Sequence, residues 1–158
     1  MQDIINIAAL TIVAIFIYMI IMGHILKYKK KIGKMNPRGL IEWTSIEMSS
    51  ELQQHGYFEC GLETLKAIDS YIEKKRKVYD SASMLKDKDF ILRCGSLAGQ
   101  VIRYKKHWKW KFTEDKIPYL EKKGKIIYPF EIIKQRINGD IESLYGYFEN
   151  TDKSPYSQ

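Results

Sequence analysis

The chain has 158 residues, 45% of them hydrophobic, and a net charge of +7. That is material for one membrane segment and one compact domain of ordinary size, and it excludes a second large core. Cys60 and Cys94 stand alone, without CxxC spacing or a nearby histidine pair, so the composition speaks against a zinc site and for core thiols in a reducing compartment, a bridge between them being the lesser reading.

From Ile4 to Met22 the only interruptions are Asn6, Thr11 and the amphipathic Tyr18, and the run fades through His24 to Leu26. About 23 helical residues reach roughly 34 Å, enough to cross a hydrocarbon core of about 30 Å. A cleaved signal peptide needs positive charge before its core and small residues after it. Here Asp3 precedes and lysines follow.

Those lysines explain most of the net charge. Lys27, Lys29, Lys30, Lys31, Lys34 and Arg38 have no acid among them, whereas residues 39–158 carry 20 basic and 18 acidic side chains. The cluster marks a membrane surface, as stop-transfer signal and as a contact for anionic lipid. The expected layout is a transmembrane helix over 1–26, a basic juxtamembrane linker over 27–39, a cytoplasmic domain over 40–150 and a flexible tail over 151–158. The N-terminus is then outside and the domain inside.

Asn36-Pro37-Arg38-Gly39 reads as punctuation between anchor and domain. Leu40 to Gln54 is partly helical in spacing. A clearer helix is predicted from about Glu59 to Val78, where Leu62, Leu65, Ile68 and Ile72 share one face and Lys74-Lys75-Arg76-Lys77 complement the dipole at its end. A third helix, capped by Asp87 or Asp89, carries Phe90, Ile91, Leu97, Val101 and Ile102. Its Gly95, Ser96, Ala98 and Gly99 cost helix stability and suit close approach of another backbone or, as the sharper reading, a ligand.

After Lys106 the period becomes alternating, with Trp108, Trp110 and Phe112 on one side and His107, Lys109, Lys111 and Thr113 on the other. Further strands are expected at Ile117–Leu120 and Ile126–Tyr128 around a turn at Gly124. Pro129 opens a helix through Ile137, Gly139 stops it, and Asp140 can cap a last helix holding Ile141, Leu144, Tyr147 and Phe148. The fold class is α+β, helices packed on a three-stranded antiparallel sheet behind an N-terminal transmembrane helix.

Cys94-Gly95-Ser96-Leu97-Ala98-Gly99-Gln100, His107-Trp108-Lys109-Trp110, Ile127-Tyr128-Pro129-Phe130 and Asn138-Gly139-Asp140-Ile141-Glu142-Ser143-Leu144 resemble, in order and spacing, a small bacterial domain family of uncharacterised function. The resemblance implies a helix–sheet–helix fold of bacterial origin; the membrane segment and Leu40–Val78 lie outside it. It implies no activity or ligand.

No serine elbow, phosphate-cradling loop or paired-histidine motif is present, and His24, His55 and His107 are scattered. Nothing nominates a catalytic residue, a metal ligand or a cofactor. The local anomaly is 101–125, with nine basic and three acidic residues among five aromatics. Because alternation sets tryptophans opposite lysines, a solvated sheet face is the first reading, an anionic membrane or acidic protein the second, and nucleic acid the third and unlikely one. The expected function is a membrane-tethered interaction module, with the bilayer and another membrane-associated protein as partners. Its candidate contacts are Lys105, Lys106, Lys109, Lys111, Gly95 and Gly99. The alternative is a membrane-bound sensor or enzyme with a pocket beside Gly95 and Gly99.

Overall fold

The computed structural model describes residues 35–56 and 61–150. The expected membrane segment, the lysines from Lys27 to Lys34, Cys60 and the tail from 151 lie outside those residues. Among the described residues, no helix is long and apolar enough to cross a membrane.

Helix α1 spans Pro37–Gln54, beginning earlier than the spacing suggested. Proline's fixed φ and missing N–H suit a first helical position, so Pro37, Arg38 and Gly39 form a first turn rather than a linker, and the domain begins at Pro37. Its buried stripe is Ile41, Thr44, Ser45, Met48 and Leu52. The polar members are tolerated there because they are satisfied. Thr44 Oγ1 lies 2.8 Å from the Leu40 carbonyl and 2.8 Å from Ser96 Oγ, and Ser45 Oγ donates to the Glu42 carbonyl at 2.8 Å.

Helix α2 is Glu63–Arg76, shorter at both ends than the expected Glu59–Val78. Leu65, Ile68 and Ile72 are fully buried on the anticipated face, whereas Val78 is 73% exposed. The amides of Val78 and Tyr79 both reach back to the Lys75 carbonyl and close the helix there. A short helix that periodicity missed, α3 at Ser81–Lys86, is opened by Asp80, which accepts from the Ser83 amide at 2.7 Å. Helix α4, Lys88–Lys106, takes Asp87 as its cap, accepting from the Phe90 amide at 2.9 Å, with Asp89 inside the first turn.

The sheet has the expected form. Strands β1 (Lys109–Phe112), β2 (Pro118–Lys122) and β3 (Lys125–Ile127) pair antiparallel in chain order, Lys109 facing Glu121 and Leu120 facing Ile127. Trp108, Leu120 and Ile127 are buried, Trp110 and Phe112 half-buried, and Lys109 and Lys111 exposed. Lys123 and Gly124, at φ of 51° and 80°, make the two-residue hairpin turn that matches strand twist.

Helix α5, Pro129–Asn138, stops at Gly139, whose φ of 89° lets its amide return to the Gln135 carbonyl at 3.0 Å. Asp140 belongs to that stop, its own amide bonding Gln135 at 2.9 Å, and does not open the next helix. Helix α6 is Leu144–Asn150, opened by Ser143, whose hydroxyl accepts from the Gly146 amide at 2.9 Å. Ile141 therefore precedes the helix instead of lying in it.

Helix α4 is the centre of the domain that begins at Pro37. On one side α1 runs antiparallel to it. On the other, the Phe130 ring of α5 lies against Gly95, and the Trp110 ring of β1 lies against Gly99, with Pro129 Cγ beside it. The two rings meet, centroids 6.2 Å apart.

A methyl group at either glycine would overlap the ring that covers it. Gly99→Ala should gain about 1 kcal/mol of helix propensity and lose more through overpacking, typically about 1–3 kcal/mol. Urea unfolding of the full chain in detergent should show a lower midpoint; an unchanged or raised one would mean that the Trp110 ring is not held there.

Candidate functional site

The glycines are the first candidate site, and their surroundings correct it. Gly95 and Gly99 are covered by aromatic rings, so the small-residue face of α4 is a packing surface and leaves no pocket for a ligand. Cys94, one residue before, is buried and free, its sulfur 3.9 Å from Met48 Sδ. Burial pushes the thiol well above its usual range, which leaves it a poor nucleophile.

The four candidate lysines do not share one face. Lys106 Nζ donates to the Phe148 carbonyl at 2.7 Å and the Glu149 carbonyl at 3.2 Å, closing the C-terminal end of α6. It is a structural residue, contrary to expectation. Lys111 pairs with Glu121 at 3.1 Å. Lys105 is exposed at the end of α4, and its aliphatic stem passes over Gly61. Lys109 is exposed at the start of β1. Arg38 lies on the first turn of α1 with Nε 3.7 Å from Glu42 Oε1.

Two polar clusters that sequence reasoning missed are more ordered than any of these. In the first, Arg136 of α5 donates from Nε to Asp69 Oδ1 and from Nη2 to Glu73 Oε1, both at 2.7 Å. Asp69 also accepts from the Leu144 amide, at 2.9 Å to Oδ2 and 3.1 Å to Oδ1. One carboxylate of α2 thus holds both the Arg136 guanidinium and the first turn of α6. In the second, Glu51 of α1 accepts from the Tyr71 hydroxyl and from Arg93 Nη1, while Arg93 Nε lies 2.9 Å from Asp89 Oδ2. Burial alone would raise the Glu51 carboxyl, but the Tyr71 hydrogen bond and the Arg93 charge bring it below its ordinary value. Burial and the bond to Glu51 push the Tyr71 phenol up. The Asp69 and Glu51 carboxylates are both matched within the fold, whereas Arg93 Nε, although 2.9 Å from Asp89 Oδ2, makes no hydrogen bond among the described residues. Among the described residues, no group of three or more His, Cys, Asp or Glu side chains is placed to hold a metal ion.

Of the open grooves among the described residues, one of about 510 Å³ borders the Glu51 cluster, with Glu47, His55 and Arg93 in its lining, one of about 590 Å³ borders the Asp69 cluster, with Glu73, Lys74 and Lys77, and two are largely apolar. One, of about 540 Å³, lies between α1 and α4; Leu97 and Val101 line it, Ile46 and Tyr104 stand at it, and Glu42, Ser45 and Lys105 are among its polar members. Ile46 is 63% and Tyr104 65% exposed. The other, of about 780 Å³, runs between β3 and α6, lined by Trp108, Ile126, Ile141 and Tyr147. The Trp108 indole N–H is buried there without a hydrogen-bond partner. Neither of these two apolar grooves gathers convergent ionisable groups. Exposed Ile46 and Tyr104 sit one helical face away from the glycines, and only the pairing of α1 with α4, invisible to periodicity, brings them together.

No family model matches the chain, and neither the curated proteins nor the solved structures include a significant match.

The Glu51 cluster predicts a pH signature. A lowered carboxyl contributes stability above its ordinary value of 4.5 and loses it as pH falls through the lower, folded value. Glu51→Gln should therefore cost about 2 kcal/mol near neutrality, measured by urea unfolding, and the gap from wild type should narrow as pH drops below that range. A gap independent of pH would place the cost in packing.

Proposed function

We propose that the chain is a membrane-tethered interaction module. The apolar run from Ile4 to Leu26 is its single-pass anchor, and the domain from Pro37 is held at the cytoplasmic face, where α4 engages another membrane-associated protein of a bacterial assembly. The anchor reading is supported by the length of the apolar run and by the lysines that follow it.

The observation that carries the interaction reading is the groove between α1 and α4. Its inner wall is Leu97 and Val101, and two large apolar side chains, Ile46 and Tyr104, stand largely in solvent at it. Contiguous exposed apolar surface with a polar rim marks a contact site, and a furrow between two antiparallel helices fits an amphipathic helix laid along it. Relative to the sequence reading, the helix is the same, but the face in use is that of Leu97 and Tyr104 rather than that of the glycines.

Ile46→Glu tests this in the full chain. The position is exposed, so the unfolding midpoint should stay within about 0.5 kcal/mol of wild type. Cross-linking in native membranes, followed by detergent pull-down, should lose partners that wild type and a control at an exposed position away from the groove, Lys86→Glu, retain. An unchanged partner list for Ile46→Glu would remove the groove from consideration. Release of the chain from membranes by alkaline carbonate would remove the anchor.

A further inference from the structure

The antiparallel packing of α1 on α4 decides which end of the domain the chain enters. Arg103 Nη1 lies 3.8 Å from Glu42 Oε1 near the start of α1, Thr44 meets Ser96, and Arg93 meets Glu51 toward its end. Pro37 therefore sits at the same end as the last turn of α4. The sheet adds to that end. β1 leaves α4 directly through His107, and its first residue, Lys109, faces Glu121, so the Lys123–Gly124 turn is beside it. The C-terminus of α6 is there too, bonded by Lys106.

Elements far apart in sequence thus bring Arg38, Lys105, Lys109 and Lys123, all exposed, to the end where the chain enters, along with the exposed Tyr104 ring. Two acids of this end are engaged: Glu42 lies beside Arg38 and Arg103, and Glu121 accepts from Lys111 and from the Gly124 amide at 3.1 Å; Glu149, at the end of α6, is the third acid there. At the opposite end of α4, Lys88 stands between Asp87 and Asp89, and Lys75 of α2 reaches over the Phe90 ring at 4.8 Å, so the basic end of α2 lies there, away from the point where the chain enters.

We propose that this end is a membrane-docking surface that binds anionic lipid headgroups, with Arg38, Lys105, Lys109 and Lys123 as the contacts and Tyr104 at headgroup depth. It rests on the tethered reading above and specifies which surface faces the bilayer. A tether alone leaves the domain free to tumble. Each lysine close to an anionic surface adds attraction, and aromatic side chains favour the interface, so the domain is held with its entry end down. That leaves the length of the α1–α4 groove facing sideways, accessible to a neighbour in the same membrane.

The test uses the full chain in nanodiscs of neutral phosphatidylcholine and of the same lipid with about a third phosphatidylglycerol. Amide hydrogen exchange across 103–109 and 121–125 should slow several-fold in the anionic discs only. The triple reversal Lys105→Glu, Lys109→Glu, Lys123→Glu should abolish that difference while exchange in the core of α4 stays as in wild type. Equal exchange in both discs, with the chain inserted, would overturn the docking surface and leave the tether standing. If instead the chain failed to insert, the tether would fall; the soluble chain should then still prefer phosphatidylglycerol vesicles, roughly a hundredfold over the triple variant, and no preference would overturn the docking surface as well. Equal protection by a single-stranded oligonucleotide in neutral discs would reassign the surface to nucleic acid.

Discussion

The absence of two side chains governs the packing of this domain. At Gly95 and Gly99 the α4 backbone is bare, and the rings of Phe130 and Trp110 rest directly on it. That contact sets how closely β1 and α5 approach the helix, and through them where the rest of the sheet lies. Glycine weakens an isolated helix by about 1 kcal/mol per residue, so α4 depends on its neighbours to persist. Burial of Phe90, Leu97, Ile102 and Trp108 around it supplies that support.

The polar clusters fix what apolar packing leaves loose. Burying a carboxylate is unfavourable unless its oxygens are matched, and Asp69 is matched by a guanidinium and a helix amide at once. Glu51 does the same between α1, α2 and α4. Hydrophobic contact is not directional, whereas these bonds are, so they select one arrangement of α1, α2, α5 and α6 from the several that would bury similar area.

Much of this was legible in the sequence. The period changes at Lys106, the Gly124 turn, the Pro129 start and the Gly139 stop are local signals, each the product of a few adjacent residues, and the structure follows them. The misreadings concern what local pattern cannot carry. Pro37 is as good a helix start as a linker residue, and only burial of Ile41 and Thr44 decides it. Asp140 and Ser143 are both good caps, and the return of the Asp140 amide to Gln135 settles which one acts. Lys106 reads as one more surface charge until α6 arrives beside it. Nor could any pattern reveal that Asp69 and Arg136 meet, since they lie 67 positions apart. The site readings suffered most, because a surface is assembled from distant segments, while a helix or hairpin is not.

The pairing of α1 with α4 also bears on the order in which the domain can form. Thr44 and Ser96 are separated by 52 residues, and the aromatic rings that complete α4 come later still. A nascent chain that has emerged only as far as α2 has made Ile41, Met48 and Leu52 but not the helix that covers them. Contacts of such long range are slow to close, and the unsheltered stripe is a liability meanwhile. The stripe on α1 is therefore sheltered only once α4 has been made, and the bare glycines of α4 only once Trp110 and Phe130 follow.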